Sequence, residues 1–140
     1  MEAVGRREYV LSWPGFVADP DSVALDTGRQ IDWEDLAASF EDRVPAGTVI
    51  VEQSDGTILP RSMGVEEEAA TLPAVGILVT STNRESRSDA LSGYGVIRGG
   101  VIYSNLLQET DNVGFDDWIG ELQDNGTGYV FKTYADNRGG

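Results

Sequence analysis

Carboxylates are the only side chains here numerous enough for acid–base chemistry, and three groupings have suggestive spacing. Asp26-Thr27-Gly28 follows the apolar Val23-Ala24-Leu25. An aspartate so placed could share one proton with a second copy of itself and activate a water. Asp19, Asp21 and Asp26 could gather around Ca²⁺, as could Asp111, Asp116 and Asp117. Neither set has the EF-hand spacing or its turn glycine, so no dedicated metal site is expected. The chain has no His and no Cys, which removes imidazole bases, thiol nucleophiles, zinc ligation and disulfides together. No cofactor and no enzymatic activity are expected.

The 140 residues carry 24 Asp and Glu against 10 Lys and Arg, a formal net charge of −14. No basic stripe exists to displace counterions, so nucleic acid is excluded as a partner. Nine of the ten basic residues are Arg, and Lys132 is the only lysine. Acid-rich, nearly lysine-free chains suit a high-salt cytoplasm, where screening acts over about 3 Å and dense carboxylates hold a hydration layer. An Arg-biased genome encoding an ordinary acidic protein gives the same ratio. Tyr9-Val10-Leu11-Ser12-Trp13-Pro14 is too short an apolar run to span a membrane, and Arg6-Arg7 precedes no export-signal core. No membrane partner is expected, and the protein should stay where it is made or travel within an assembly. At 40% hydrophobic residues the length suits one domain with its own core.

The elements that would position these residues are short. Residues 1–30 read as an extended N-terminal arm: Tyr9-Val10-Leu11 is β-prone, Trp13-Pro14-Gly15 stops it, and Ala18 to Arg29 is turn-rich and acidic. Residues 31–140 read as a single β-rich domain. Trp33, Leu36, Ala37 and Phe40 share a face at helical spacing, which predicts a short helix near 32–40 that Pro45 stops. Strands at 48–52 and 57–60 flank a hairpin turn at Ser54-Asp55-Gly56. A buried strand is expected over 74–80, where Gly76 permits close backbone approach or a bulge. Glu66-Glu67-Glu68 and the segment 82–92 read as polar loops. Tyr94 to Tyr103 reads as two strands around a turn at Gly99-Gly100, 115–122 as a second short helix, and 128–134 as a closing strand. Strands at this spacing, with 17 glycines at their turns, predict a mainly β fold: a small barrel or sandwich with one or two short helices.

Several short motifs have an ordinary explanation beside the chemical one. Asp26-Thr27-Gly28 is similar to the core of the aspartic proteases, but Arg29 stands where those enzymes carry a small residue. A three-residue match is cheap in a chain this rich in Asp and Gly, so a dimeric aspartic protease is the remote alternative. Asn125-Gly126-Thr127 is a glycosylation sequon that serves equally as a turn before the last strand. The terminal Arg138-Gly139-Gly140 resembles the tail of ubiquitin-like modifiers, yet the long helix those domains place after a first hairpin is missing from the pattern. Tyr9, Trp13, Phe16 and Trp33 crowd the first quarter of the chain. They either fold back on the core or anchor an arm on a partner.

A broader likeness lies in the middle of the chain. Ala46-Gly47-Thr48-Val49-Ile50 is followed by Asp55-Gly56, with Pro60 closing the hairpin. Then come Ala74-Val75-Gly76-Ile77-Leu78-Val79, and Tyr94-Gly95-Val96-Ile97-Arg98-Gly99-Gly100-Val101-Ile102, ending at Leu106-Leu107. This order resembles the lambda-type head decoration proteins of tailed bacteriophages. The likeness covers residues 46–107, under half the chain; residues 1–45 are longer than the family pattern and carry the predicted helix.

The resemblance implies a β-clip-like domain that trimerises at local threefold axes of an icosahedral head and clamps the major capsid protein against internal pressure. It also implies an arm that orders on binding. Glu8, Tyr9, Val10 and Leu11, with Trp13 behind them, would add an edge strand to the shell by β-augmentation. The expected location is the outer capsid surface of a virion, after synthesis in the host cytoplasm, and the nearly lysine-free basic set makes a virus of a halophilic archaeon the first host expectation. The alternative from another class is a non-viral, acidic intracellular β-domain acting as a binding module.

Overall fold

The structure, a computed structural model, describes residues 13–63, 72–83 and 94–135. Its strands are β1 (Val17–Arg29), β2 (Arg43–Val44), β3 (Val49–Glu52), β4 (Ile58–Pro60), β5 (Gly76–Leu78), β6 (Thr82–Asn83), β7 (Tyr94–Tyr103) and β8 (Val130–Lys132). Among the described residues one α-helix, α1 (Phe115–Asn125), precedes β8. A six-stranded sheet runs in the order β1-β7-β5-β3-β4, with β8 parallel to the far half of β7. β2 and β6 form a separate two-stranded sheet. The fold is mainly β, as the strand pattern predicts, but the sheet is open and does not close into a barrel.

The sheet nevertheless curls. Just past the end of β1, Ile31 bridges to Ile58 on the opposite edge strand. The Asp32 N–H donates to the Ile58 carbonyl at 3.1 Å, and the Ile58 N–H donates to the Gln30 carbonyl at 2.9 Å. Both faces of the central strands are buried, and successive residues sort onto them with the period of two expected of a strand. Val49, Ile77 and Ile97 join the larger core with Phe115, Trp118 and Leu122 of α1. Ile50, Leu78 and Val96 join a second core with Ile31, Trp33 and Val44. The helix forms where Phe115, Trp118 and Leu122 align on one face and Asp116 and Asp117 meet its positive end. It stops where the Gly126 N–H closes on the Leu122 carbonyl at 2.8 Å.

Four expectations change. Ala18 to Arg29 is a strand, not a turn-rich arm: β1 pairs with β7 from Val17 to Arg29. Its acidic, turn-like composition reflects an edge strand interrupted by repeated register shifts. Within one shift Ser22 replaces the ladder, its hydroxyl accepting from the Val101 N–H at 2.9 Å and donating to the Asp19 carbonyl at 2.7 Å. The predicted arm therefore narrows to the residues before Trp13, and residues 1–12 lie outside the described set.

The helix expected near 32–40 is reduced to a 3-10 turn at Ala38–Phe40. Asp32 is committed to β4 and Trp33 is drawn into the second core, which leaves too little chain for an α-helix. Glu41 and Asp42, both left-handed, end the turn.

Tyr94 to Tyr103 is one unbroken strand of ten residues rather than two around a turn. Gly99 and Gly100 serve close approach instead. A Cβ on Gly99 would lie 1.7 Å from the Thr127 carbonyl oxygen, and Gly100 takes a φ of +135° with the Ser22–Val23 backbone against it. Finally, the start of the polar loop expected over 82–92 is strand β6, paired with β2; residues 84–93 and 64–71, including Glu66-Glu67-Glu68, lie outside the described set.

Candidate functional site

The candidate chemistry of the sequence converges on Asp26, and the fold places it inside a charge cluster. Asp26 pairs in register with Val96, so it shares a sheet face with Val96, Arg98 and, across the sheet, Ile50 and Glu52. Arg98 donates to Asp26 Oδ2 from Nε at 3.1 Å and from Nη2 at 2.9 Å, and Nη2 also reaches Glu52 Oε1 at 2.9 Å. Arg29 donates from Nε to Asp26 at 3.1 Å and from Nη1 to Glu52 at 3.0 Å. Two guanidiniums and two carboxylates thus form a neutral ring linking β1, β3 and β7. Arg98 Nη1 adds a long contact to the Val75 carbonyl at 3.4 Å.

The electrostatics follow from this ring. Partial burial pushes the Asp26 carboxyl upward, but hydrogen bonds from Arg98 and Arg29 outweigh it and hold the acid below its ordinary value. Burial likewise disfavours the Arg98 cation, and the bonds to Glu52 and Asp26 more than restore it. A proton-sharing aspartate needs its ionisation suppressed, whereas two guanidiniums keep Asp26 ionised. That weighs against the protease reading, because Asp26-Thr27-Gly28 sits on an edge strand as part of an ion-pair ring. Neither aspartate trio forms a metal-holding group among the described residues.

A second pair ties α1 to the sheet. Arg61 donates to both Glu121 oxygens, at 3.0 and 3.2 Å, and the Ala74 N–H donates to Oε1 at 2.8 Å. Beside it runs an open groove of about 680 Å³ walled by Asp116, Asp117 and Asp124.

The residues singled out by the family likeness separate into two groups. Asp55 and Gly56 form the β3–β4 hairpin turn, where the Asp55 carboxylate accepts from the Thr57 N–H at 3.0 Å and Gly56 takes a φ of +92°. Pro60 faces Ile50, and Ala74, Gly76, Ile77 and Leu78 are buried around β5, with Val75 packed against the second core. Gly76 permits the close approach expected of it, since a Cβ there would lie 2.4 Å from Val96 Cγ1. Tyr94 opens β7 opposite Arg29, and Gly100 lies opposite the bulge of β1, between the Asp19–Val101 and Ala24–Gly99 pairs.

Of the proposed arm residues only Trp13 is described. Glu8, Tyr9, Val10 and Leu11 lie outside the described residues. Trp13 packs on the larger core beside buried Phe16 and Val17, and Trp33 is buried in the second core. Three of the four early aromatics therefore fold back on the domain.

Reasoning from the sequence missed the edges of the sheet. β1 has no strand on its outer side, and neither has β8, among the described residues. The signal was present in the acid-free run Asn125 to Ala135, which carries the only lysine. Comparison with protein-family models and with curated proteins finds no match to this chain.

Proposed function

We propose that this chain is a structural virion protein that binds the outside of an icosahedral head as a trimer at local threefold axes and stabilises the capsid. One observation carries the proposal. The segments that resemble the decoration family fold as neighbours: hairpin β3–β4, buried β5 and glycine-bearing β7 lie side by side in the order β7-β5-β3-β4. An acidic surface whose arginines 29, 61 and 98 are consumed in internal pairs is repelled by DNA and fits the outer side of a head. Trp13, held on the core, gives the segment Glu8 to Leu11 a fixed root from which to reach a neighbouring shell subunit.

The direct test of stabilisation compares DNA release on heating from isolated heads with and without the purified protein. Heads carrying the protein are expected to retain DNA to a higher temperature. Identical release curves at native salt would refute capsid stabilisation.

A further inference from the structure

We propose that the outer edge of β8 is a self-association surface, and that its occupant is the outer edge of β1 on the next copy of this chain. The inference deepens the proposed trimer and rests on that reading for the number three; the contact itself stands on charge and on strand edges.

Two copies carrying −14 each repel, so contact is favoured where at least one of the two facing edges is free of acids. From Ala90 to Gln108 and from Asn125 to Ala135 the sequence has no Asp or Glu. The fold brings the described parts of these two runs together, because β8 pairs with Val101–Tyr103 of β7. The surface they make is apolar: Val130 is 49% exposed, Tyr134 46% and Leu106 40%, three of the five exposed large hydrophobic residues among the described residues.

It is also held rigid. Asn105 exchanges two hydrogen bonds with the Tyr134 backbone, at 3.0 and 2.8 Å, and the Tyr103 and Tyr134 rings meet edge to face at 5.3 Å. A preorganised patch loses little entropy on docking.

The choice of β1 as complement follows from charge and topology. Lys132 stands on β8, while Asp19 and Asp21 are exposed on β1. Val101 pairs with Asp19 on one side and with Val130 on the other, so the acidic edge and the lysine edge flank the same end of β7. Two different edges facing opposite ways make a head-to-tail contact, the kind that closes into a ring. An acidic edge meeting another acidic edge would be opposed by charge, so β1–β1 pairing is disfavoured.

Sedimentation equilibrium of the purified chain tests this, with circular dichroism as the check on folding. Wild type is expected to be trimeric, and Val130→Asp to be folded but monomeric, because it buries an unpaired carboxylate. Lys132→Glu should weaken association roughly two- to fivefold, the worth of an exposed pair. Adding Asp19→Lys to Lys132→Glu should restore it. A folded Val130→Asp that stays trimeric overturns the surface assignment, and so does a monomeric wild type. If Val130→Asp does not fold, the charge-swapped pair decides alone, and no rescue by Asp19→Lys overturns the proposal. Self-association through this edge by a protein that ignores heads would sink the capsid reading and leave the contact standing.

Discussion

Arg98 meets Asp26 from two nitrogens at once: Nε and Nη2 both donate to Oδ2, at 3.1 and 2.9 Å. The contact fastens β7 to β1 between two irregularities of their backbone ladder, since the register shifts between Ala24 and Leu25 and again between Asp26 and Arg29. Side chains thus supply a tie that the bulged main chain does not.

Removing that tie should be costly. Arg98→Met keeps much of the side-chain volume but leaves Asp26 and Glu52 sharing only Arg29. Unfolding in urea at fixed salt should show a loss of roughly 2 kcal/mol, below the cost of breaking a fully buried pair because the cluster is part-exposed. An unchanged midpoint would show that the ring contributes nothing.

The same ring sets an acid limb in the stability profile. Asp26 lies below its ordinary 3.8, and Glu121 lies below 4.5 because bonds from Arg61 and the Ala74 N–H outweigh the upward push of burial. A depressed folded value means stability that is complete above the ordinary value and is lost as pH falls through the folded one. Stability should therefore decline from the ordinary carboxylate range downward. In Asp26→Asn with Glu121→Gln the decline should be shallower, and thermal melts at stepped pH measure this. An acid limb equally steep in the double variant would place the linkage elsewhere.

Much of this architecture was legible, and the misses share a physical cause. The β3–β4 hairpin was readable because Asp55-Gly56 determines its own turn, and α1 because Phe115, Trp118 and Leu122 repeat at helical spacing. The strand over 18–29 was hidden because an edge strand tolerates Asp, Pro and Gly that a central one rejects. Gly99-Gly100 read as a turn because local propensity cannot reveal that Thr127 and Ser22, distant in sequence, press on that backbone. The Asp26 ring was illegible for the same reason: its four members come from three strands, and only the curl of the sheet unites them.

Two glycines separate these causes. Gly99→Ala should destabilise by about 3 kcal/mol or prevent folding, because the new methyl would strike backbone that cannot move aside. Gly120→Ala, mid-helix with open space around its Cβ, should stabilise by roughly 0.5–1 kcal/mol. Thermal denaturation of the two variants reads both signs, and a stabilising Gly99→Ala would contradict the packing described for β7 and Thr127.

Salt should act through self-repulsion. With a net charge of −14, raising KCl from 0.1 M to 1 M shortens the screening length from about 10 Å to about 3 Å and relieves crowding of carboxylates. The melting temperature should climb across that range and continue to rise beyond it. A plateau already at low salt would mark an ordinary acidic protein and remove the halophilic reading.

The proposed capsid role is tested most directly by co-sedimenting the purified protein, at native salt, with isolated mature heads of the tailed virus that the proposal makes its source. A decoration protein binds saturably, three copies to each local threefold position, and a chain lacking residues 1–12 stays folded but no longer pellets with the heads. Heads that sediment without the full-length protein would contradict the assignment outright.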